Sequence, residues 1–497
     1  MSTIENRTNA CLSKLLNFAL GLTLSISILT PVEALAVPAF ARQTGQNCVA
    51  CHAGGQFPEL TSYGRMFKLT GYTIGERTVP LAVMGVASYS SVANTSKSDA
   101  PEADFQKHQS LLLSSGSLFI AGKITDNIGG FSQITYDNYA VTNADGSFSG
   151  KSQADNIDLR YAEHFIRGKH DVVFGVSLNN NPSIADPWNT AAAWMQYVPV
   201  PSPTSYQFAD GAGIYPGFGS GGNIAGLSAY VYWNKTVYAE LGSYRTADKL
   251  LSFMSAGIED ANTTKLAGAN PYWRLALTRE WGPHNFMVGT SGMIANVYDT
   301  GSDTSDAGNL GQFRNTGIDA QYQYILDPHT FTAQLAFMRQ VQSYSPSSLA
   351  GGASPYFLAD GVTPVDPFNA SDTSEIFRAK LSYIYRAKYG GSVAFFNRSG
   401  TTNTLNQSAG FDSNGQITSA DPLGTGITST RVGGNLAGNP ATRGLTYEAF
   451  WMPKQNIRLG AQLTTYSLFN GAASNYDGFG RNASDNNTLF VYAWFAY

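Results

Sequence analysis

Apolar and polar residues alternate along this chain in runs of strand length, from position 81 to the C-terminus. In the run 377–385, aromatic and aliphatic residues at the odd positions alternate with Arg378, Lys380 and Ser382. The run 157–165 alternates in the same way, with Glu163 as an exception on its apolar face. Each predicted strand therefore has one mostly apolar and one mostly polar face. This pattern alone fits both a water-soluble sandwich and a membrane-spanning barrel.

The links between these runs favour the barrel. Tight turns alternate with long loops along the chain, and this is typical of outer-membrane barrels, which have short turns at one rim and long loops at the other. An even number of strands places both ends at the short-turn rim and so predicts periplasmic N- and C-termini. The runs, about sixteen in all, are 81–92, 112–123, 127–137, 155–165, 171–179, 227–233, 236–244, 272–281, 285–297, 315–325, 330–342, 376–386, 390–397, 444–452, 456–468 and 487–497.

The composition agrees with strands and turns. The chain has 51 Gly, 27 Tyr and 28 Phe, and only 13% of its residues are charged. The net charge is -4, and the sequence has no run of basic residues. Both observations argue against nucleic acid as a partner. The final run, 490–497, is rich in aromatic residues, which we expect at a membrane interface. We therefore predict an all-β fold, a transmembrane barrel of about 16 strands over residues 80–497 in outer-membrane lipid.

The N-terminus predicts a secretory signal peptide over residues 1–36. Arg7 and Lys14 precede an apolar run at 15–29, and Ala34 and Ala36 supply the small residues of a cleavage site. That run is short for a membrane-spanning helix, and no apolar run beyond it approaches the roughly 18 residues that such a helix needs. The mature chain is therefore expected to begin near Val37, outside the cytoplasm.

The strongest chemical motif is Cys48, Cys51 and His52, which form a CxxCH sequence. Two thiols three residues apart can add to the two vinyl groups of one haem, and the adjacent imidazole can bind the iron. A zinc site would need four ligands, and the only other cysteine, Cys11, lies in the predicted leader. A redox dithiol would be expected in a βαβ context, which the flanking residues lack. The motif predicts one covalent haem c with His52 as its proximal ligand.

The segment 37–79 is too short to fold alone, so we predict that the haem supplies part of its core. Its best helix is 61–69, capped by Thr61 and ended by Gly71. Met66 is the only methionine between positions 37 and 81, which makes it a candidate distal ligand, although methionine on a short helix also serves as core filler. His164 is predicted to face the lumen and is an alternative ligand or an ordinary lumen-lining group. The sixth position of the iron could also be open.

Charge is sorted between the two predicted rims. An acidic outer mouth would attract cations, and a basic inner rim would favour an acidic partner, although aspartates also simply suit turns. The basic residues of the short-turn side are Arg167, Lys169, Lys235, Arg386, Lys388 and Lys454. The acidic residues of the long loops are Glu102, Asp104, Asp186, Asp210, Asp299, Asp303, Asp306, Asp360, Asp366, Asp372, Asp412, Asp421, Asp477 and Asp485.

The N-terminal motifs resemble those of the fused monohaem cytochrome-porins of iron-oxidising bacteria. The shared stretches are 37–45 (VPAFARQTG), 48–52 (CVACH), 57–58 (FP), 60–61 (LT), 64–69 (GRMFKL) and 71–73 (GYT), with 179–182 (NNNP) and 186–189 (DPWN) in the third long loop. The resemblance implies an outer-membrane Fe(II) oxidase of the iron:cytochrome c reductase type. It implies that electrons from extracellular Fe(II) pass through a single haem to a periplasmic cytochrome c or cupredoxin.

The sequence also supports this mechanism without the resemblance, in less detail. A haem tethered at the periplasmic rim would obstruct a barrel of this size, and a redox-active plug is better explained by electron transfer than by solute passage. The chain offers no convincing acid–base pair or nucleophile. The alternative is a porin for solute diffusion or uptake whose haem segment gates the pore or acts as a sensor.

Overall fold

The structure is a computed structural model that describes residues 38–55, 59–95, 108–142, 148–190, 223–256, 265–299, 304–352, 356–357, 364–365, 369–403, 432–478 and 480–497. These residues belong to one compact unit, Leu35–Tyr497. The predicted leader, 1–36, lies outside the described residues. So do eight of the acidic loop residues: Glu102, Asp104, Asp210, Asp303, Asp360, Asp366, Asp412 and Asp421.

Sixteen antiparallel strands form a closed barrel, as the alternation and the links predicted. A separate two-stranded hairpin, β12 and β13, lies in the connection between β11 and β14. The strands are β1 (Leu81–Val92), β2 (Leu111–Lys123), β3 (Ile128–Thr142), β4 (Phe148–Arg167), β5 (His170–Asn179), β6 (Ile224–Trp233), β7 (Val237–Thr246), β8 (Asn270–Trp281), β9 (His284–Tyr298), β10 (Leu310–Leu326), β11 (His329–Ser343), β12 (Tyr356–Phe357), β13 (Pro364–Val365), β14 (Ser371–Tyr385), β15 (Tyr389–Gly400), β16 (Thr442–Lys454), β17 (Ile457–Leu468) and β18 (Thr488–Ala496).

The barrel closes where β1 pairs with β18, in a register that places Met84 opposite Ala496. Because each strand runs antiparallel to its neighbours, the start of β1 and the end of β18 lie at the rim that carries the tight turns. Closure leaves the barrel itself without an unpaired edge, because each of its sixteen strands pairs with two neighbours.

The outer wall is apolar and the inner wall polar. Leu241 and Ile318, at outward positions of β7 and β10, are 70% and 62% exposed. Gln321 and Gln323, at inward positions of β10, are almost fully buried. This is the reverse of a water-soluble protein and is the pattern of a barrel that displays its apolar face to lipid.

Two expectations about strands need correction. The strands β3 and β4 extend to Thr142 and Phe148, so the link between them is shorter than the predicted gap of 138–154. In β18, Phe490, Tyr492 and Trp494 are buried with Val86 and Ala394, so these rings line the lumen. They do not form part of an interfacial belt, whereas Phe495 and Tyr497 are exposed. The alternation of a strand sends every second ring inward, which aromatic content alone cannot reveal.

Short helices precede the barrel and lie inside it. They are α1 (Pro38–Thr44), α2 (Cys48–Cys51) and α3 (Ser62–Leu69), with a single 3₁₀ turn at Ala53–Gly55. Thr61 caps α3 as predicted, because its side chain accepts a hydrogen bond from the Gly64 N–H. Two further helices, α4 (Pro182–Ala185) and α5 (Pro346–Gly352), belong to the long loops.

Within the described residues, none of these helices has the length and apolar content to cross a membrane.

Candidate cofactor site and the filled lumen

Helix α1 fixes the N-terminal segment against the inner wall of β1 and β2. Ala39 packs with Ala82, Phe119 and Ala121, and Phe40 contributes to the same cluster. The side-chain amide of Gln43 donates to the carbonyl oxygens of Tyr72 (2.7 Å) and Ile74 (2.9 Å) and accepts from the Lys123 N–H (2.8 Å). This one buried side chain therefore joins α1, the chain after α3 and the end of β2.

The CxxCH motif forms the helical turn α2. The His52 N–H donates to the Cys48 carbonyl at 2.8 Å, and the Thr61 N–H donates to the Cys51 carbonyl at 2.9 Å. The Ala53 N–H donates to the Glu59 carbonyl, also at 2.9 Å. The motif is thus held by backbone hydrogen bonds to the segment that leads into α3, and both cysteines lie on one turn.

Two glycines allow the motif to approach its neighbours closely. A Cβ on Gly64 would lie 2.1 Å from the Cys51 carbonyl oxygen, so α3 crosses α2 at a distance that only glycine permits. A Cβ on Gly54 would lie 2.2 Å from Cδ1 of Ile384, and Gly54 has a φ of 75°. The first contact joins the two helices, and the second joins the motif to the barrel wall.

The motif lies at the short-turn rim of the barrel. Ile384, against Gly54, is near the end of β14, and Ala387, near Gly55, lies in the tight turn between β14 and β15. The Cys48 N–H donates to the side chain of Gln455, in the next tight turn, at 3.4 Å. The segment therefore enters the lumen from the rim at which the chain termini meet.

The protonation chemistry of the motif suits a haem ligand set. Burial lowers the pKa of His52 to about 4, so the ring is neutral, as a metal-binding imidazole must be. Its Nδ1 is buried and has no hydrogen-bond partner among the described residues. Burial, and secondarily the neighbouring Cys48, raises the pKa of Cys51 to about 11. Redox-active CxxC motifs instead have a lowered thiol pKa, so this environment does not favour a dithiol exchange site.

The residues present therefore fit covalent haem. The two sulfurs are on one turn and are not joined to each other, and the imidazole follows directly. Val49 and Tyr63 are 40% and 36% exposed, so the surface of α2 and α3 beside the thiols has an open side. Among the described residues, no group of three or more His, Cys, Asp and Glu side chains is arranged to hold a metal ion.

Helix α3 is bound to the barrel through Arg65, which is 2% exposed. Its guanidinium donates to Gln323 of β10 at 3.1 Å and to Glu280 of β8 at 3.4 Å. Ser62 also donates to Glu280. In the segment before α3, Glu59 forms an ion pair with Lys380 of β14. These contacts lie on one side of the barrel, on β8, β10 and β14, whereas α1 packs on β1 and β2 at the other side, so the helical segment lies across the lumen.

Met66 and His164, the two distal-ligand candidates, have different surroundings. Met66 is partly buried and packs against a cluster that contains Leu69, Trp188 and Tyr238. His164 pairs with the inward-facing Val173, so it is on the lumen side of β4. Its Nε2 lies 2.7 Å from Oδ1 of Asp171 beside a tight turn. Met66 is therefore on the helix that follows the motif, and His164 already has a carboxylate partner at the rim.

The start of the third long loop folds into the lumen, which the sequence did not predict. Residues 179–182 and 186–189, the NNNP and DPWN stretches, are almost all buried, and Trp188 is fully buried. Trp188 makes edge contacts with Tyr238 and Tyr232, at centroid distances of 5.4 and 6.4 Å. The start of this loop therefore occupies part of the lumen.

Buried ion pairs hold this loop. Arg274 of β8 donates two hydrogen bonds to the carboxylate of Asp319 on β10, at 2.5 and 2.8 Å. Its Nε donates to Asp186 of the loop at 3.2 Å. The Thr190 N–H closes the arrangement by donating to Asp186 at 2.9 Å. All three charged side chains are buried, so each depends on the others for compensation.

The loop and α3 also meet directly. The ammonium group of Lys68 donates to the carbonyl oxygens of Ile184 and Asp186, the latter at 3.1 Å. Burial lowers the pKa of Lys68 to about 8, with a further contribution from the nearby Arg160. Tyr230 of β6 donates to the Leu69 carbonyl at 2.7 Å. The helical segment from one rim and the loop from the other form a single packed interior.

This arrangement corrects the predicted acidic mouth at two positions. Asp186 is paired with Arg274 in the lumen, and Asp477 is fully buried, so neither presents charge to solvent. The first is neutralised by its ion pair and the second is enclosed by protein. The sequence shows only that both residues lie in loops, and it does not show these contacts. All six basic residues predicted for the short-turn side are exposed there: Arg167, Lys169, Lys235, Arg386, Lys388 and Lys454.

No family model and no curated protein matches this chain. Among solved structures, the chain is similar to the outer membrane channel DcaP of Acinetobacter baumannii, with 12% identity over 84% of this chain and 96% of that chain and a TM-score of 0.40. It is similar to Salmonella typhi OmpF, in complex with Daunomycin, with 11% identity over 84% and 97% and a TM-score of 0.43. An anion-selective porin from Comamonas acidovorans matches at 10% identity over 84% and 99%, with a TM-score of 0.41.

Proposed function

We propose that this protein is an outer-membrane electron-transfer protein with one haem c bound covalently to Cys48 and Cys51. In this proposal His52 is the proximal ligand, and Met66 is the first candidate for the distal one. The single observation that supports it most strongly is the position of the CxxCH motif at the short-turn rim, followed directly by a helix that is bound to the inner wall of the barrel.

The location in the membrane is part of the proposal. Outward-facing Leu, Ile, Val and Phe side chains surround the wall of the sixteen-stranded barrel. Such a surface is stable in lipid and would aggregate in water. We infer that the tight turns and both termini face the periplasm and that the long loops face outward.

The chain's own residues would prepare the site in three ways. The helical turn α2 holds the two sulfurs on one side, and burial keeps His52 neutral and available as a ligand. The Gly64 contact and the Arg65 hydrogen bonds fix α3, and with it Met66, relative to the motif. When bound, a haem would supply one-electron chemistry, with a potential set by its axial ligands and burial.

We propose extracellular Fe(II) as the donor and a periplasmic cytochrome c or cupredoxin as the acceptor. One electron leaves Fe(II), which becomes Fe(III), and the same electron reduces the acceptor, so no bond is made or broken. The exposed basic residues of the short-turn rim favour an acidic acceptor. The donor rests on the family resemblance, and the acceptor rests on both the resemblance and this charge.

A second candidate function is solute passage, because a closed barrel of sixteen strands with a polar inner wall is the architecture of a diffusion pore. In this case α1–α3 would form a movable plug. Single-channel conductance distinguishes the two functions. Electron transfer predicts a closed barrel when haem is attached, whereas an open, ion-conducting pore in the haem-loaded protein favours the porin.

The first experiment is a redox difference spectrum of the purified outer-membrane fraction, with the full chain expressed alongside a cytochrome c maturation system. We expect a covalent haem absorbance that disappears in the C48A/C51A variant, while the folded barrel is retained. A wild-type barrel without bound pigment would contradict the cofactor. Stopped-flow mixing with Fe(II) then tests the donor, since reduction much slower than growth requires would exclude iron.

The distal ligand is tested by M66A, with M287A as the control. Met287 is also buried against the same cluster, but it lies on β9. If Met66 binds the iron, M66A lowers the reduction potential and changes the haem spectrum, and M287A does neither. If the two variants have the same reduction potential and the same haem spectrum, then Met66 serves only in packing.

A further inference from the structure

A cavity of about 470 Å³ opens at the long-loop end of β7, β8 and β9. Four charged side chains line it: Arg245, Asp248, Lys249 and Lys265. Arg245 donates to Asp248 at 3.2 Å, but neither Lys249 nor Lys265 has an ion-pair partner within the part of the chain that the structure describes. Among the described residues, the lining of the cavity thus has a net positive charge, and it suits an anion.

The cavity is on the lipid-facing side of the barrel. Tyr244 of β7 is fully buried, so Ser243 and Arg245 on either side of it face outward. Leu241, two residues before Ser243 on the same face, is 70% exposed and belongs to the apolar wall. Arg245 is four residues beyond Leu241, a rise of about 13 Å along a strand. The change from leucine to arginine over this distance marks the level of the lipid headgroups.

The segment that follows β7 supports a lipid as the ligand. The 3₁₀ helix Lys249–Met254 is attached to the barrel through Met254, which packs with Ile157 and Ala225 at outward positions of β4 and β6. Two of its apolar side chains, Leu250 and Phe253, are 88% and 54% exposed. Exposed apolar groups beside unpaired lysines are expected where a segment meets a membrane surface.

We propose that this cavity binds the phosphate group of a lipid in the outer leaflet. Lys249, Lys265 and Arg245 would contact the phosphate oxygens, and Leu250 and Phe253 would contact the upper part of the acyl chains. Basic clusters of this kind at headgroup level bind anionic lipid headgroups, and arginine is well suited to phosphate. The proposal rests on insertion with the long loops outward, and it does not depend on the haem.

The test uses the full chain in detergent, titrated separately with bisphosphorylated lipid A, dephosphorylated lipid A and inorganic phosphate, with bound ligand counted by native mass spectrometry. We expect tight binding of the bisphosphorylated lipid alone. Equal binding of both lipids would show that the phosphate is not recognised. Equal binding of inorganic phosphate would show a simple anion site. Either result would overturn the proposal.

If the cavity is the lipid-binding site, removing its basic residues should weaken lipid binding, and removing its acidic residue should strengthen it. We expect K249A/K265A to weaken lipid binding about 25-fold, since each basic group near an anionic surface contributes roughly five-fold. D248N should strengthen binding about three-fold, because it removes the carboxylate that competes for Arg245. The control K169A/K454A removes two exposed lysines at the opposite rim and should change nothing. Equal effects of the two lysine pairs would exclude this cavity.

Resistance to unfolding in detergent confirms that each variant is folded. Because the assay does not involve the motif, C48A/C51A should bind the lipid like wild type. Loss of lipid binding in that variant would contradict an independent site. A failure of the haem proposal would leave the lipid result unchanged, so the two can be told apart.

Discussion

The helical segment α1–α3 and the inward part of the third loop, residues 179–190, occupy the same lumen but are held there in different ways. The helical segment uses close backbone packing, as at Gly64 and Cys51, hydrogen bonds such as those of Gln43, and separate ion pairs such as Glu59–Lys380. The loop depends on Arg274 and two buried carboxylates. The helical segment therefore has several independent contacts, whereas the two ion pairs of the loop share one cation and are lost together when Arg274 is removed.

The difference identifies which part of the interior has several independent attachments and which part depends on one buried cation. The helical segment holds the motif, and its position must be constant if the distance to an acceptor is to be constant. The loop comes from the opposite rim, and its ion pairs with Arg274 add to the packing of Trp188. If the protein ever opens, we expect the loop to leave the lumen before the helices do.

The largest effect is expected for R274M. This change leaves Asp186 and Asp319 buried without their shared cation, at a cost of about 3–5 kcal/mol in the free energy of unfolding. We also expect the loop to leave the lumen, which would raise single-channel conductance. The control is R279M on the same strand, where the arginine is exposed. Equal stability of the two variants would show that the buried ion pairs do not hold the loop.

A smaller effect is expected for K380M, which leaves the Glu59 carboxylate without its cation. We expect a loss of about 3 kcal/mol, measured by urea unfolding in lipid vesicles. The variant E59Q/K380M should recover part of this loss, because neither position then carries a buried charge. If the loss of stability in the double variant equals the sum of the losses in E59Q and K380M, then the ion pair does not join the segment to β14.

Packing between the two helices is tested by G64A. Alanine normally stabilises a helix by about 1 kcal/mol relative to glycine. Here we expect a loss of about 2 kcal/mol, since the new methyl group would collide with the Cys51 carbonyl. Hydrogen exchange of residues 48–69 should increase, while exchange in the strands stays constant. The control is G116A on β2, where the nearest atom would be 3.9 Å from the added carbon.

The smallest effect concerns a loop contact outside the lumen, at Asp299. Partial burial raises its pKa, but hydrogen bonds from Ser345, Ser347 and Ser348 outweigh this and keep the pKa below its usual value. The folded pKa is depressed, so the contribution to stability is present above about pH 4 and is lost as the pH falls below it.

We expect hydrogen exchange at 345–348 to increase a few-fold on acidification below about pH 4, the usual pKa of aspartate. The D299N variant should exchange faster at neutral pH and lose this dependence. Exchange of the lumen loop, residues 179–190, is followed over the same interval as a reference. A parallel change in both loops would indicate general acid unfolding of the barrel.

The alternation and the link lengths were sufficient to predict sixteen strands and which rim carries the tight turns. They could do so because a strand repeats every two residues and because turn length depends on local chemistry. The Thr61 cap of α3 was predictable for the same reason, as a local hydrogen bond. Three aromatic rings of β18, those of Phe490, Tyr492 and Trp494, were assigned to the wrong side, because composition does not reveal which residues of a strand face inward.

Among the site residues, the sequence identified Cys48, Cys51 and His52 by spacing alone, and their role as haem ligands remains a prediction. Only the tertiary structure decided that the helical segment lies inside the lumen, that Gly64 brings α3 onto α2, and that the third loop enters the lumen to meet Lys68. The partners of those contacts are far apart in the chain, as with Arg274 and Asp186. The spacing of residues along the chain determines which side chains meet within one helical turn. Burial and charge compensation depend instead on which distant segments the closed barrel brings together.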